Sequence, residues 1–141
     1  MKSTSFVLAA AVFAGLPAGV ASAAAEPALS GAGITYTVPV SAGSGVNGQC
    51  TIVADRWTAD YGPTHVYATA TSPAAAWTSI RCTVTKNGTT YVDQGASKNG
   101  PYVVVNAGDG TIPVAGIQVC AEVESQLTVD ARPHKIACAN F

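Results

Sequence analysis

Apolar and polar residues alternate along most of the chain that follows residue 33. Between Trp77 and Lys86, for example, Ile80, Cys82 and Val84 are separated by single polar residues. Strict alternation with a period of two is the pattern of a β-strand that has one buried face. The pattern predicts no helix and eight strands, which are Ile34–Val40, Gln49–Trp57, His65–Thr71, Trp77–Lys86, Thr89–Asp93, Tyr102–Asn106, Ile117–Val129 and His134–Asn140.

Turn residues separate these strands. Asn87-Gly88 predicts a type I′ hairpin turn, because both residues tolerate a positive φ angle. A two-residue turn at this point places Lys86 opposite Thr89 and Val84 opposite Tyr91. The other connections are predicted as loops or turns at 41–48, 58–64 (with Gly62-Pro63 at the tip), 72–76, 94–101, 107–110 and 130–133.

Three of the predicted strands have further features. Pro39 lacks a backbone N–H, which predicts that the first strand lies at a sheet edge. The strand Tyr102–Asn106 is apolar throughout, and we expect it to be buried on both faces. The strand Ile117–Val129 is predicted to be the longest, with Cys120 on its polar face beside Glu122 and Glu124. Its inner face is predicted to contain Ile117, Val119, Ala121, Val123, Leu127 and Val129.

Short strands with a turn about every ten residues are typical of an antiparallel β-sandwich, here a single domain over 33–141. Trp57 and Trp77 lie between Cys50 and Cys82, and the chain is similar to an immunoglobulin-like domain in strand number and length. The separation of these cysteines is shorter than the usual immunoglobulin bridge. The resemblance therefore implies the sandwich architecture and no function. Whether the two tryptophans are core or exposed stays open.

Residues 1–23 have the pattern of a secretory signal peptide. Lys2 precedes an apolar run over 6–16, and Ala21-Ser22-Ala23 forms an A-x-A cleavage site. A second such site ends at Ala25. The apolar run is shorter than a membrane span, so we expect no anchor in the mature chain. The sequence predicts a secreted, extracellular protein with a mobile leader over 24–32, and its short alanine-rich signal is typical of bacteria.

The chain has four cysteines, all after the predicted cleavage site. An even number of cysteines in an exported chain predicts disulfides, and four cysteines allow three connectivities. Pairing of neighbours favours Cys50–Cys82 with Cys120–Cys138. A zinc site is not expected, because no two cysteines have the close spacing that zinc ligands show.

Charge and motif content exclude several classes of function. Seven Lys and Arg residues balance eight Asp and Glu residues, and no basic patch is present, so we expect no nucleic-acid partner. The sequence lacks the common hydrolase and phosphate-binding motifs. His65 could combine with Asp55 or Asp60 and a Ser or Thr nucleophile into a catalytic trio. The chain has so many Ser and Thr residues that one such trio is expected by chance. No catalytic activity and no cofactor are expected.

One group of recognition residues lies around the predicted turn between the second and third strands. Trp, Tyr and Arg are the side chains that most often anchor interfaces, and flat aromatic rings also suit sugars. The group predicts a secreted, non-enzymatic module that binds an extracellular protein or glycan. Its members are Arg56, Trp57, Asp60, Tyr61 and His65. The alternative is a protease inhibitor that acts through the predicted loop 94–101, with Lys98 entering the protease.

Overall fold

The computed structural model describes residues 33–55 and 61–141, and its regular structure is β-strand. The described ranges contain no helix with the length and apolar character needed to cross a membrane. The predicted signal peptide and leader lie outside the described residues. The strands are β1 (Ile34–Gly43), β2 (Val46–Ala54), β3 (Tyr61–Thr71), β4 (Trp77–Lys86), β5 (Thr89–Lys98), β6 (Tyr102–Pro113), β7 (Gln118–Gln126) and β8 (His134–Asn140).

The eight strands form two four-stranded antiparallel sheets. The first sheet has the order β1-β2-β3-β6 and the second has the order β5-β4-β7-β8. The chain passes from one sheet to the other after β3, after β5 and after β6. The predicted all-β fold is confirmed, and its two packed sheets have a β-sandwich-like arrangement. Pro39 lies in β1 at the edge of the first sheet, as predicted.

The core lies between the two sheets and consists mainly of valine, isoleucine and alanine. Alternation turns every second residue inward, and Ile52, Ile80, Ile112 and Ile117 are almost completely buried. Burying such a side chain contributes about 1.5–3 kcal/mol. Buried polar side chains are satisfied within the described ranges: for example, Thr78 Oγ1 donates to the Gly100 carbonyl at 2.8 Å.

The β4–β5 hairpin has the predicted turn. Asn87 and Gly88 have φ angles of 50° and 79°, and Lys86 lies opposite Thr89. The next part of the predicted register is wrong, because Val84 lies opposite Val92 and not Tyr91. An irregularity between Val84 and Thr85 shifts the pairing by one residue.

Three predicted loops are strand in the structure. β1 continues to Gly43 and β2 begins at Val46, so the loop 41–48 shrinks to a turn at Ser44-Gly45. The predicted loop 94–101 is strand as far as Lys98, and 107–110 lies inside β6. Glycine and polar residues indicated loops at these positions. In the structure, pairing with the neighbouring strands keeps these residues in the sheet.

Gly62-Pro63 was expected at the tip of a turn and instead lies in β3. Pro63 pairs with Thr111 of β6, and a bulge follows between Pro63 and Thr64. The Pro63 carbonyl accepts from the backbone N–H of Asp55, which comes just after β2. The missing N–H of proline thus falls beside a bulge and past the end of the neighbouring strand, where its loss is tolerated.

The lengths of β6 and β7 differ from the prediction. β6 is the longest strand with 12 residues, whereas β7 has 9 and ends at Gln126. Val129 was predicted on the inner face but lies after β7 and is 88% exposed. The first four predicted inner-face residues, Ile117, Val119, Ala121 and Val123, are buried, and Leu127 is half-buried.

Residues 102–106 were predicted to be buried on both faces, and this is wrong. Val103 and Val105 are buried, but Tyr102 and Val104 are 51% and 46% exposed. The strand lies at the edge of its sheet with one face in the core and one outside. Its outward side chains are large and apolar, which hides the alternation from a reading of the sequence.

Both favoured disulfides are present. Cys50–Cys82 is fully buried and joins β2 of the first sheet to β4 of the second. Cys120 lies directly opposite Cys138 on neighbouring strands of the second sheet, on its outer face. The bridges span 32 and 18 residues, and on the loop-entropy model each contributes about 3–4 kcal/mol.

Candidate functional site

The outer face of the first sheet has no Asp, Glu, Lys or Arg side chain among its described residues. We call it the neutral face. Its outward residues are Thr35, Thr37, Pro39, Ser41, Asn47, Gln49, Thr51, Val53, His65, Tyr67, Thr69, Thr71, Tyr102, Val104 and Asn106. Two acidic residues lie near it. Asp55 is exposed, directly follows β2 and comes two residues after Val53, so it borders the face at the end where Val53 lies opposite His65. Asp109 of β6 accepts from Gln94 of β5 at 3.0 Å.

The outer face of the second sheet is charged, and its charges are paired. Arg81 donates through two nitrogens to both carboxylate oxygens of Asp93, each at 2.6 Å. This hydrogen bond and the charge of Arg81 lower the pKa of Asp93, against a smaller opposing effect of desolvation. A second ion pair, Arg132–Glu124 at 2.9 Å, and a hydrogen bond between His134 Nε2 and Glu122 at 2.7 Å lie along β7. Ion pairs of this kind are typical of a solvated surface.

An aromatic group occupies one end of the neutral face. The rings of His65 and Tyr67 have centroids 4.3 Å apart and an interplanar angle of 39°. His65 Nε2 donates to the side-chain carbonyl oxygen of Asn106 at 2.5 Å. His65 is thus held between Tyr67 and Asn106. The bond uses the side-chain oxygen of Asn106 and leaves its amide nitrogen available as a donor.

Open space adjoins this group. His65 lies opposite Val53 of β2 and Gly108 of β6. A Cβ atom at Gly108 would have no heavy atom within 4 Å. Open space therefore lies over Gly108, the residue of β6 opposite His65.

A second exposed group lies at the other end. Tyr102 is opposite Thr71, and Val104 is opposite Thr69. Tyr67 is 44% exposed, which is similar to the exposure of Tyr102 and Val104. Neither tyrosine hydroxyl bonds to another described residue, so both hydroxyls are available to a ligand.

Hydroxyl and amide side chains lie between and beside the two groups. Gln49 Nε2 donates to Thr51 Oγ1 at 3.2 Å, and Thr51 and Thr37 hydroxyls lie 3.4 Å apart. Hydroxyls both donate and accept, and their protons rotate to suit a partner. The neutral face thus offers many hydrogen-bonding groups, with no Asp, Glu, Lys or Arg side chain among its described residues.

Of the predicted binding residues, His65 lies on the neutral face. Tyr61 is the first residue of β3, but its side chain is not described, and Arg56, Trp57 and Asp60 lie outside the described residues. Because β3 begins at Tyr61, the connection from β2 reaches the sheet at the same end as His65. His65 Nε2 is bound to Asn106, and Asp60, one of the two aspartates considered as a partner of His65, lies outside the described residues.

The sequence prediction missed Tyr67, Tyr102 and Asn106. Each lies on the outward side of its strand, and a single exposed residue at such a position is common and does not indicate a binding site. What makes them a group is the pairing of β3 with β6, in which Tyr67 lies opposite Asn106.

Trp77 is half-buried at the start of β4, which answers the open question for this tryptophan. The Arg132 guanidinium lies 5.5 Å from the centre of its ring. Trp77 borders a shallow depression of about 420 Å³ on the second sheet, with Arg81, Gly95 and Glu122 among its walls. Another depression, of about 440 Å³, lies between the β4–β5 turn and Phe141.

The described residues contain no group of three or more His, Cys, Asp or Glu side chains placed to hold a metal ion. In comparisons with known proteins, no family model, no curated protein and no solved structure matches this chain. Its function is therefore inferred from its own surface.

Proposed function

We propose that this protein is a secreted, non-enzymatic binding module, of immunoglobulin-like architecture, that contacts an extracellular ligand through its neutral face. The observation that supports this most is the exposure of Tyr67, Tyr102 and Val104 on a face whose described residues include no Asp, Glu, Lys or Arg. The other outer face of the same molecule has paired charges instead.

Single exposed apolar residues are common and need no function. Here three large ones share two adjacent strands of one face, together with His65 and Asn106. Depletion of charge with enrichment of tyrosine is the composition that distinguishes the centre of an interface from ordinary surface. The neutral face has this composition, and the second sheet does not.

The buried disulfide makes the neutral face well suited to binding. Cys50, the bridge partner of Cys82, lies in β2 directly between the outward residues Gln49 and Thr51. A surface that is already ordered loses less conformational entropy when it binds. The bridge beneath the neutral face therefore supports affinity without itself touching a ligand.

Two features support secretion. Residues 1–23 have the signal-peptide pattern, and two intramolecular disulfides are typical of extracellular proteins. The non-enzymatic part of the proposal is supported by the sequence, which lacks the common hydrolase and phosphate-binding motifs.

The inhibitor alternative is less favoured, because most of the predicted loop 94–101 is strand. Lys98 is the last residue of β5 and pairs opposite Thr78. The three residues that remain between β5 and β6 are held by the β3–β4 connection: Gly100 donates to Ala76, and Pro101 accepts from Ser72. A protruding reactive segment is replaced by a short, tied connection.

A capture experiment tests the proposal. The oxidised protein is immobilised and exposed to culture supernatant of its host and to a set of polysaccharides. We expect Tyr67→Ala/Tyr102→Ala to lose a ligand that the unchanged protein holds. The matched control is Ile136→Ser, since Ile136 is 50% exposed on the second sheet. Equal retention by the double variant would refute the assignment of the face.

A further inference from the structure

We propose that the ligand of the neutral face is an extended, uncharged polysaccharide chain. This inference depends on the proposed function and names its ligand. It follows from the charge of the face, its hydrogen-bonding groups, its aromatic rings and its shape.

The first property is the absence of charge among the described residues of the face. Acidic polymers are held by Lys and Arg, and cationic surfaces by Asp and Glu. Covering a neutral face with a charged partner would remove that partner's charges from water without supplying an opposite charge, which is unfavourable. An uncharged partner avoids this loss, so the face selects against polyanions and against highly charged protein surfaces.

The second property is the mixture of donors and acceptors. A sugar ring presents hydroxyl groups that both donate and accept, in several directions around its edge. The threonine hydroxyls on β1, β2 and β3 and the amides of Gln49 and Asn106 offer the same mixture in return. Such a surface matches a polyhydroxylated ligand without requiring one fixed pattern of donors.

The third property is the presence of planar rings on an open surface. The face of an aromatic ring carries partial negative charge, and the C–H bonds on the flat side of a sugar are its natural partners. Tyr67 and Tyr102 are both about half exposed. Each tyrosine hydroxyl can also form a hydrogen bond with the sugar that lies against its ring.

The distance between the rings indicates a long ligand. Tyr67 lies opposite Asn106, and Tyr102 is four residues from Asn106 along β6. At ~3.3 Å per residue the two positions are roughly 13 Å apart along the strands. One sugar ring cannot reach both, so a ligand that uses both tyrosines must be a chain of several sugars.

The shape of the face indicates that the chain is contacted along its side. Both depressions described above lie on other parts of the molecule. Recognition of a small sugar or a chain end usually requires a concave pocket that surrounds the ligand. The outward side chains of the neutral face are spread over four paired strands, which suits the flank of a polymer, so free monosaccharides should compete poorly.

Depletion from solution by insoluble polymers tests the inference. The probes are cellulose, xylan, mannan and starch as neutral polysaccharides and polygalacturonate as an acidic one. We expect binding to at least one neutral polymer, with little change between about 0.01 M and about 1 M salt, over which the Debye length falls from ~30 Å to ~3 Å. Free monosaccharide in excess should not displace the protein.

Variants locate the contact. Tyr67→Ala and Tyr102→Ala should each weaken binding to that polymer about tenfold, which is ~1.4 kcal/mol. Ile136→Ser on the second sheet should bind as the unchanged protein does. Circular dichroism and the thermal midpoint show that each variant is folded.

Other results would overturn the inference in distinguishable ways. If no neutral polysaccharide binds, or if binding is confined to polygalacturonate and disappears at high salt, the ligand assignment is wrong. If the same protein captures a protein ligand that Tyr67→Ala/Tyr102→Ala does not, the proposed function survives and this inference fails. If the tyrosine variants retain every ligand, both fail.

Discussion

The two outer faces of this protein differ in how their side chains use their polar groups. On the second sheet, Arg81, Arg132 and His134 each contact a carboxylate on a neighbouring strand or connection. The polar groups of those side chains are therefore already bound to one another. On the neutral face, the outward groups are hydroxyls, amides and rings, and several of them have no partner within the described chain.

The difference teaches where to look for function in a protein with few charges. Only 11% of the residues are charged. Most of those described lie on the second sheet or in turns, so the neutral face is not simply a sample of an uncharged protein. Charge keeps a surface solvated, and a face that lacks it while exposing tyrosine is better suited to being covered.

The largest effect is expected from separating the two sheets. Replacing both members of the buried bridge, in Cys50→Ala/Cys82→Ala, should lower the free energy of unfolding by about 4 kcal/mol, since the bridge closes a 32-residue loop. Urea denaturation measures this. Cys120→Ala/Cys138→Ala is the matched comparison, with an expected loss of about 3 kcal/mol for its 18-residue loop. A larger loss for the outer bridge would contradict the expected order.

The next largest effect concerns the neutrality of the face. Thr69 is exposed on β3 between Gln49 and Val104. In Thr69→Glu a ligand would cover a carboxylate that has no cation beside it, so affinity for the neutral polysaccharide should fall about hundredfold, or ~2.7 kcal/mol. Depletion isotherms measure the loss. Ser97→Glu places the same charge on the exposed part of β5 and should have no effect. Equal losses in the two variants would argue against the neutral face.

The smallest effect is expected from the charged face. The pKa of Asp93 is lowered in the folded protein from its ordinary value of 3.8, chiefly by the hydrogen bond from Arg81. The pair therefore adds stability above pH 3.8, and this stability is lost as the pH falls through the lower folded-state pKa. Because both side chains are about half exposed, the gain is small.

Urea midpoints of the unchanged protein and Asp93→Asn test this. The variant should be slightly less stable near neutral pH, and the difference should vanish in strong acid. Asp130→Asn, outside the strands, is the control and should show no such convergence. A difference for Asp93→Asn that persists in strong acid would show that the ion pair is not its cause.

Local patterns predicted much of the fold. Alternation defined β4 to the residue, since Trp77–Lys86 is both the predicted and the observed strand. Neighbour pairing gave both disulfides. The register of Val84 was not predictable, because a bulge changes pairing without leaving a clear local signal. Residues 94–98 and 107–110 were taken for loops because glycine and polar residues also occur on outward strand positions.

The site was less predictable than the fold. His65 was proposed for its residue type, and it does lie on the neutral face. Tyr67 and Asn106 are 39 positions apart in sequence and meet only because β3 pairs with β6. Long-range pairing in a sandwich is decided by the packing of both sheets, and a single sequence carries little local information about it.

The buried bridge also has a mechanical consequence. A polymer held on the neutral face and pulled sideways would apply shear between the two sheets, whose apolar side chains contact but do not lock. Cys50 lies beneath that face, and its covalent link to Cys82 passes the load directly to the central strand β4. Sliding of one sheet over the other is then opposed by a covalent bond. The two sheets of an attached protein would therefore stay together under a pulling force.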